Sequence, residues 1–194
     1  MSPKTENQFE VIRQKSVANI KETALELFAK HGYHSTSISR IAKEAGISKG
    51  LMYNYFDSKK DLLHDILLET VEVTEKAVAD VMSPDDTPFI QLKKMMDALI
   101  KSVQNDIRHW KLLTALAVQT DVMEELQQVV QEKQQAFMEM GLGIFTQLNV
   151  EDPGMEVMMF GALLDGLFLH YLSFPEAYPI EEMKEYILKK YEPK

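Results

Sequence analysis

The fold is decided by residues 36–61, Thr36-Ser37-Ile38-Ser39-Arg40-Ile41-Ala42-Lys43-Glu44-Ala45-Gly46-Ile47-Ser48-Lys49-Gly50-Leu51-Met52-Tyr53-Asn54-Tyr55-Phe56-Asp57-Ser58-Lys59-Lys60-Asp61. Ile38, Ile41, Ala42 and Ala45 recur at helical spacing, so the first part predicts a short amphipathic helix. Ser35, Thr36 and Ser37 offer N-caps for it, and Gly46 supplies a tight turn. Ser48 then caps a third helix, and Ser58 with Asp61 makes a capping-box-like start for a fourth. Two such short helices have too little apolar surface to be a domain alone. The helix after Gly46 carries small, hydroxyl and aromatic polar groups where a purely structural helix would carry charge or Ala. That is the pattern of a helix-turn-helix that enters the DNA major groove.

Working outward, the rest of the chain reads as helix punctuated by turns, an all-α fold of about nine helices. Val17, Ile20, Ala24, Leu27 and Phe28 predict an amphipathic first helix from about Phe9 to Lys30, stopped at Gly32. Leu62, Leu63, Ile66, Leu67, Thr70, Val73, Ala77 and Val81 continue the fourth helix. Ser83-Pro84-Asp85-Asp86-Thr87-Pro88 is the clearest break, with Thr87 as N-cap and Pro88 at the first helical position of the fifth helix. A short helix is expected over Arg108–Gln119. Asp121 and Glu124 would cap a long one running to about Leu148, and Asp152-Pro153 would start another through Phe174. Pro175 and Pro179 bracket the turn before a last helix that ends near Tyr191. Two lobes follow: a head, residues 1–57, and a larger helical body, residues 58–194, with the fourth helix leading from one to the other.

The charge is divided in the same way. The chain of 194 residues has a formal net charge of -9, but residues 1–60 hold ten Lys and Arg against six Asp and Glu, a balance of +4. The remainder carries -13. A locally positive head suits attraction to phosphates, and an acidic body would stay off the duplex. Cysteine is absent, which excludes disulfides, thiolate metal sites and a cysteine nucleophile, and fits a reducing cytoplasm. Met1–Ser16 shows no apolar signal region. Val157–Phe174 is the nearest thing to a membrane span, but it is short and carries Asp165 near its middle. A buried interface helix is the better reading, so no membrane is expected.

Residues 20–67 resemble the DNA-binding head of the TetR family of bacterial transcriptional regulators. The matching words are Ala24-x-x-Leu27-Phe28, Gly32-Tyr33, Thr36-Ser37-Ile38, Ile41-Ala42-x-x-Ala45-Gly46-Ile47-Ser48-Lys49-Gly50, Tyr53-x-x-Phe56 and Ser58-Lys59-x-x-Leu62-Leu63. Ser37 and Met52 are small departures, where the family more often has Thr and Leu. The resemblance covers about a quarter of the chain. It implies that Thr36, Ser37, Ser48, Lys49, Tyr53, Tyr55 and Lys59 lie in a DNA-contact strip.

The chemistry of these residues can be argued separately. Thr36 and Ser37 stand where a helix N-terminus presents free N–H groups, a suitable grip for a phosphate as well as a plain cap. Lys49, Gly50 and Leu51 open the recognition helix, whose first turns meet base edges. Gly50 costs about 1 kcal/mol within a helix, which makes sense if backbone must approach DNA closely or if the helix start is relaxed. The hydroxyls of Tyr53 and Tyr55 and the amide of Asn54 can reach phosphate or base, and Asn can pair with adenine. Tyr53 could equally pack inside the head, as Phe56 is expected to. Lys59 is a phosphate candidate at the start of the fourth helix.

The body shows no phosphate loop or hydrolase motif, and its histidines fall on different elements, so no catalytic residue, metal or cofactor is expected. Its many methionines and aromatics suit an adaptable apolar cavity, although core is the plainer reading of any one of them. His109, Trp110, Phe137, Met138 and Met159 are the candidate effector-pocket residues. The helix Val157–Phe174 is apolar nearly all round, so both of its faces should be buried. With the last helix it is the candidate two-fold dimer interface, through Gly161, Leu164, Phe168, Met183 and Ile187. The expected protein is therefore a cytoplasmic homodimeric repressor that binds palindromic double-stranded operator DNA and is released by a small, largely apolar effector. An activator or protein-responsive regulator of the same fold remains an alternative, as does a small helical enzyme or carrier using the body cavity.

Overall fold

The structure, a computed structural model, describes residues 6–193, and within them all side chains except those of residues 6, 7, 121, 123–125, 127–130 and 132–134. Among the described residues it holds nine helices and no strand, as the sequence predicts. They are α1 (Glu6–His31), α2 (Ile38–Glu44), α3 (Lys49–Tyr53), α4 (Lys59–Ala79), α5 (Pro88–Asn105), α6 (Ile107–Ala117), α7 (Thr120–Gln147), α8 (Pro153–Ser173) and α9 (Ile180–Leu188). The chain up to Glu69 together with Leu112–Gln127 makes one compact unit. Thr70–Lys111 together with the chain from Gln128 onward makes a second. Helices α4, α6 and α7 thus each contribute to both units by simple continuity of the chain.

The helix ends follow local chemistry. Gly32 stops α1 with φ +87°, a left-handed conformation that only glycine adopts without strain, and its N–H donates to the Phe28 carbonyl at 2.9 Å. Thr87 and Asp152 cap α5 and α8 through bonds from the Ile90 and Met155 amides, each followed by proline at the first helical position. At the start of α4 the Ser58 hydroxyl accepts the Asp61 N–H at 3.0 Å, as expected of a cap, and donates to the Asp61 carboxylate at 2.9 Å. Helix α7 begins at Thr120; the Asp121 and Glu124 side chains expected to cap it lie outside the described ones.

In the first unit α1 packs on α2 and α2 on α3. Ile20, Ala24, Leu25, Leu27 and Phe28 of α1, Ile41 and Ala42 of α2, Met52 of α3 and Leu62, Leu63 and Ile66 of α4 are all buried. Each large side chain among them contributes about 1.5–3 kcal/mol by leaving water. Lys21 joins α1 to α4 through Asp65 at 2.8 Å and Glu69 at 2.6 Å. Partial burial pulls the Lys21 pKa down, but the two carboxylate partners outweigh it and hold the ammonium above its usual range.

The second unit is built around Val78, the inward side of α5, the end of α7, and α8 and α9. Helix α9 packs on both α5 and α8. Val73, read from the sequence as part of the continuing apolar face of α4, is instead 60% exposed, and Val78 is the residue that enters this core. Tyr191 packs its ring against Phe145 and Phe160, and its hydroxyl donates to the Glu156 carboxylate. Burial and that carboxylate both push the Tyr191 hydroxyl well above the usual tyrosine range. Lys184 spans α9 to α5 through Asp97 at 2.6 Å.

Helix α8 is buried along one face within this chain. By length and composition it could cross a membrane, but within this chain its inward face is a seam of Val157, Phe160, Leu164, Leu167 and Tyr171 buried in the core. Those residues are spaced alternately three and four apart, as in helices that pack at a shallow angle. The opposite face is exposed within the single chain, through Met155, Met158, Met159, Ala162, Asp165 and Leu169.

Candidate nucleic-acid interface

Helix α2, the turn at Gly46 and α3 form the helix-turn-helix. The Ser37 side chain caps α2 by accepting from the Arg40 N–H at 3.2 Å. Gly46, at φ +71°, reverses the chain, and the Ile47 amide returns to the Ala42 carbonyl at 2.9 Å. Ser48 caps α3 by accepting from the Leu51 N–H at 3.1 Å. One side chain sets the rotation of α3: Met52 is fully buried. With Met52 pointing in, Ser48, Lys49, Gly50, Leu51, Tyr53 and Asn54 all point out. Tyr53 is 46% exposed, so of its two readings the surface one is what the structure shows. The Lys49 ammonium lies 5.8 Å from the centre of the Tyr53 ring, which places charge and aromatic face side by side on the outer surface. Phe56 is buried, and Tyr55 is half-buried beside it.

Gly50 is open on the protein side. A Cβ added there would meet nothing nearer than the Ser48 hydroxyl, at 4.0 Å. The head's own packing therefore does not require glycine at this position, which leaves approach by an external surface, or a relaxed helix start, as its use.

Two members of the predicted strip serve the head itself. Thr36 is completely buried, and its hydroxyl is shared between the carbonyls of Gly32 at 2.9 Å and Leu27 at 3.3 Å. Its side chain faces inward, with its hydroxyl bonded to one carbonyl in the last turns of α1 and one just beyond it. The expectation of a phosphate grip is therefore corrected at Thr36, and Ser37 is the residue that caps α2. The Lys59 ammonium donates to the carbonyls of Tyr33 at 2.7 Å and His34 at 3.3 Å and lies 4.2 Å from the centre of the Tyr33 ring. Its charge remains at the start of α4, with the ammonium turned toward these carbonyls.

Other residues that build this surface escape a reading by periodicity. Asn19 donates from α1 to the Ala45 carbonyl at 2.9 Å and so holds the turn of the motif. The one signal was its type, since Asn is a poor helix-interior residue with a carboxamide that seeks backbone. Gln119 bonds to the end of α1 from 86 and 91 residues away, a pairing that no local pattern announces.

The predicted body residues separate into two groups. Trp110, Phe137 and Met138 are half-buried against the core of the second unit, and the Trp110 indole donates to the Ser102 carbonyl at 3.1 Å. His109 pairs with the Thr70 hydroxyl at 3.0 Å. Met159 does not join them: it is 46% exposed on the outer face of α8. Of the predicted interface residues, Leu164 and Ile187 lie inside the chain's own core, and Phe168 and Met183 pack against it. Gly161 faces Phe137, whose ring would come within 3.6 Å of a Cβ there. Leu164 and Ile187 are thus taken up by the chain's own core, whereas Gly161, Phe168 and Met183 remain partly exposed. Outward apolar positions of α8 lie on its opposite face, and Tyr186 on α9 is exposed as well.

Comparison with known proteins agrees with this architecture. Residues 20–66 match the family model for bacterial regulatory proteins of the tetR family, and residues 90–189 match the model for a tetracyclin repressor-like C-terminal domain. YuxN of Bacillus subtilis, an uncharacterized HTH-type transcriptional regulator, is 40% identical over 84 residues, a match covering 43% of this chain and 29% of YuxN. The chain thus spans less than a third of that relative's length. The fatty acid degradation regulator FadR from Bacillus halodurans has the same fold, with a TM-score of 0.71 at 18% identity over 98% of this chain and 96% of that one. So does NalD, the secondary repressor of the MexAB-OprM multidrug efflux pump in Pseudomonas aeruginosa, with a TM-score of 0.70 at 22% identity over 92% and 94%. With a head and a C-terminal domain that both match, the second over just more than half its length, the chain belongs to the TetR family of bacterial regulatory proteins.

Proposed function

We propose that this chain is a dimeric repressor that binds a near-palindromic operator and is released from it by a small, largely apolar molecule. The observation that carries the reading is the outer face of α3. A five-residue helix anchored by one buried methionine exposes Ser48, Lys49, Gly50, Leu51, Tyr53 and Asn54, a set with ionic, hydroxyl, amide and aromatic reach and no packing duty on that side. Lys49 supplies charge for phosphate, Asn54 can pair a base edge, and Tyr53 and Tyr55 can reach either. Two such helices, one from each protomer, would sit in successive major grooves about 34–36 Å apart.

The dimer would form through the outer stripe of α8, Met158, Ala162, Asp165 and Leu169, with Tyr186 of α9. It runs at the same alternating spacing of three and four as the inner seam, and Met158 and Leu169 on it are 60% and 53% exposed. A parallel requirement applies to the effector. It must prefer the conformer that fits DNA poorly, since a ligand shifts an equilibrium only by its differential affinity. Trp110, Phe137 and Met138, half-buried and adaptable, would meet it, with His109 next to Trp110. FadR and NalD are regulators of fatty acid degradation and of a multidrug pump, and apolar effectors suit both settings. A regulator of this kind works in the cytoplasm.

The test is fluorescence-anisotropy titration against the DNA flanking the protein's own gene, repeated across salt. Saturable nanomolar binding to one palindromic segment that weakens steeply with salt is the expected result. Weak, sequence-indifferent binding to every flanking segment would overturn it.

A further inference from the structure

The connection between α1 and α2 is held from three sides. Thr36 satisfies carbonyls at the end of α1, and Lys59 satisfies those of Tyr33 and His34. The third side is Gln119. Its Oε1 accepts the Tyr33 N–H at 3.0 Å, and its Nε2 donates to the Phe28 carbonyl at 3.1 Å and to Ala115 in α6 at 3.3 Å. One carboxamide therefore bridges the last turn of α1 and the first residue beyond Gly32, taking the Tyr33 N–H that has no helical acceptor after the turn and adding a second donor to the Phe28 carbonyl, which Gly32 already bonds. The backbone of Gln119 is itself fixed on both sides. Its N–H donates to Leu116, and its carbonyl accepts from Val122, both at 3.1 Å. Its residue lies in the two-residue turn between α6 and α7, two helices that both continue along the chain into the second unit. Four residues after Tyr33, Ser37 caps α2, so the turn that Gln119 holds leads directly into the helix-turn-helix.

We propose that Gln119 is a positioning residue for operator recognition. By fastening Tyr33 and Phe28 to the α6–α7 turn, it sets where α2 starts and hence how α3 is presented. The proposal rests on the DNA-binding reading above. The two ends act together: the carbonyl end holds the Tyr33 N–H and the amide end holds the Phe28 carbonyl, so the side chain ties the connection to the last turn of α1.

The test uses the full-length protein with Q119M and Q119N. Methionine keeps the length and bulk of the side chain and removes both hydrogen-bonding ends, so it restores any role that is merely packing. Asparagine keeps the amide but is one methylene too short to span Phe28 and Tyr33. Hydrogen exchange of the Tyr33 amide, measured without DNA, is expected to accelerate roughly tenfold or more in both variants. Operator affinity is expected to fall roughly five- to tenfold in both, by the anisotropy assay, with cooperative unfolding retained. Wild-type exchange and affinity in Q119M would overturn the proposal, as would wild-type behaviour of Q119N. Faster exchange with unchanged operator affinity would also overturn it, because the clamp would then not serve recognition. Failure of the wild-type protein to bind any operator would instead overturn the regulator reading, a result separate from the exchange measurement.

Discussion

Helices α3 and α8 both turn one side into a core and leave the other uncovered, but the uncovered sides differ in kind. On α3 the outer surface is Lys49, Tyr53 and Asn54 around a bare Gly50, groups that keep their hydration until a polar partner replaces it. On α8 it is Met155, Met158, Met159 and Leu169, groups that gain by leaving water. A polar outer face can stay exposed without cost while it waits for DNA. An apolar one of this length is more stable covered, so the two faces suit an intermittent partner and a permanent one.

The largest expected effect tests the second half of that contrast. Leu169→Glu is expected to abolish the dimer at micromolar concentration by sedimentation velocity. An unpaired charge buried at each copy of the site costs about 3–5 kcal/mol, while a side chain already 53% exposed leaves the fold of one chain intact. Unchanged sedimentation would mean that α8 is not the meeting face. Next comes Lys49→Ala, for which operator affinity should drop by about 1–3 kcal/mol with melting unaltered. If the residue meets phosphate, the salt slope should fall by about one. The same substitution should leave the monomer–dimer equilibrium alone.

Thr36→Val separates a residue of the strip from a residue of the scaffold. Loss of the buried hydroxyl leaves carbonyls of Gly32 and Leu27 without it, and chemical denaturation should show a loss of about 1–2 kcal/mol. The salt slope of DNA binding should not change, whereas a phosphate contact at Thr36 would lower it. The smallest effect is Gly50→Ala, which is expected to raise stability by no more than about 1 kcal/mol, since a Cβ there meets open space. Operator affinity should nonetheless fall, because the methyl group stands on the face that approaches the groove. Equal or better DNA binding would show that glycine there serves the helix start alone.

The sequence was most legible where a local rule governs. Caps and stops depend on a residue and its neighbours within one turn, so Gly32, Gly46, Ser48, Ser58, Thr87 and Asp152 could be assigned without a third dimension. Legibility ended at side chains with two plausible directions. Thr36 and Ser37 are adjacent hydroxyls, and only packing put the first inside and the second on the α2 N-terminus. Lys59 had the charge for phosphate, but the carbonyls of Tyr33 and His34 lay within its reach. On α8, apolar residues on nearly every side left no phase to read, so Leu164 was expected at an interface that its burial in the chain's own core excludes.

By itself, the order of residues determined the element types, the helix boundaries to within about three residues, the separation of positive head from acidic body and the presence of a helix-turn-helix. Those features follow from backbone chemistry and from periodicity over a few turns. Only the tertiary structure decided which face of each helix turned inward, which polar groups were spent on the scaffold, and that Gln119 reaches the end of α1 across 86 and 91 residues of sequence. The reason is that burial and hydrogen-bond satisfaction are settled by the groups that fold alongside a residue, and those groups are mostly far from it in the chain.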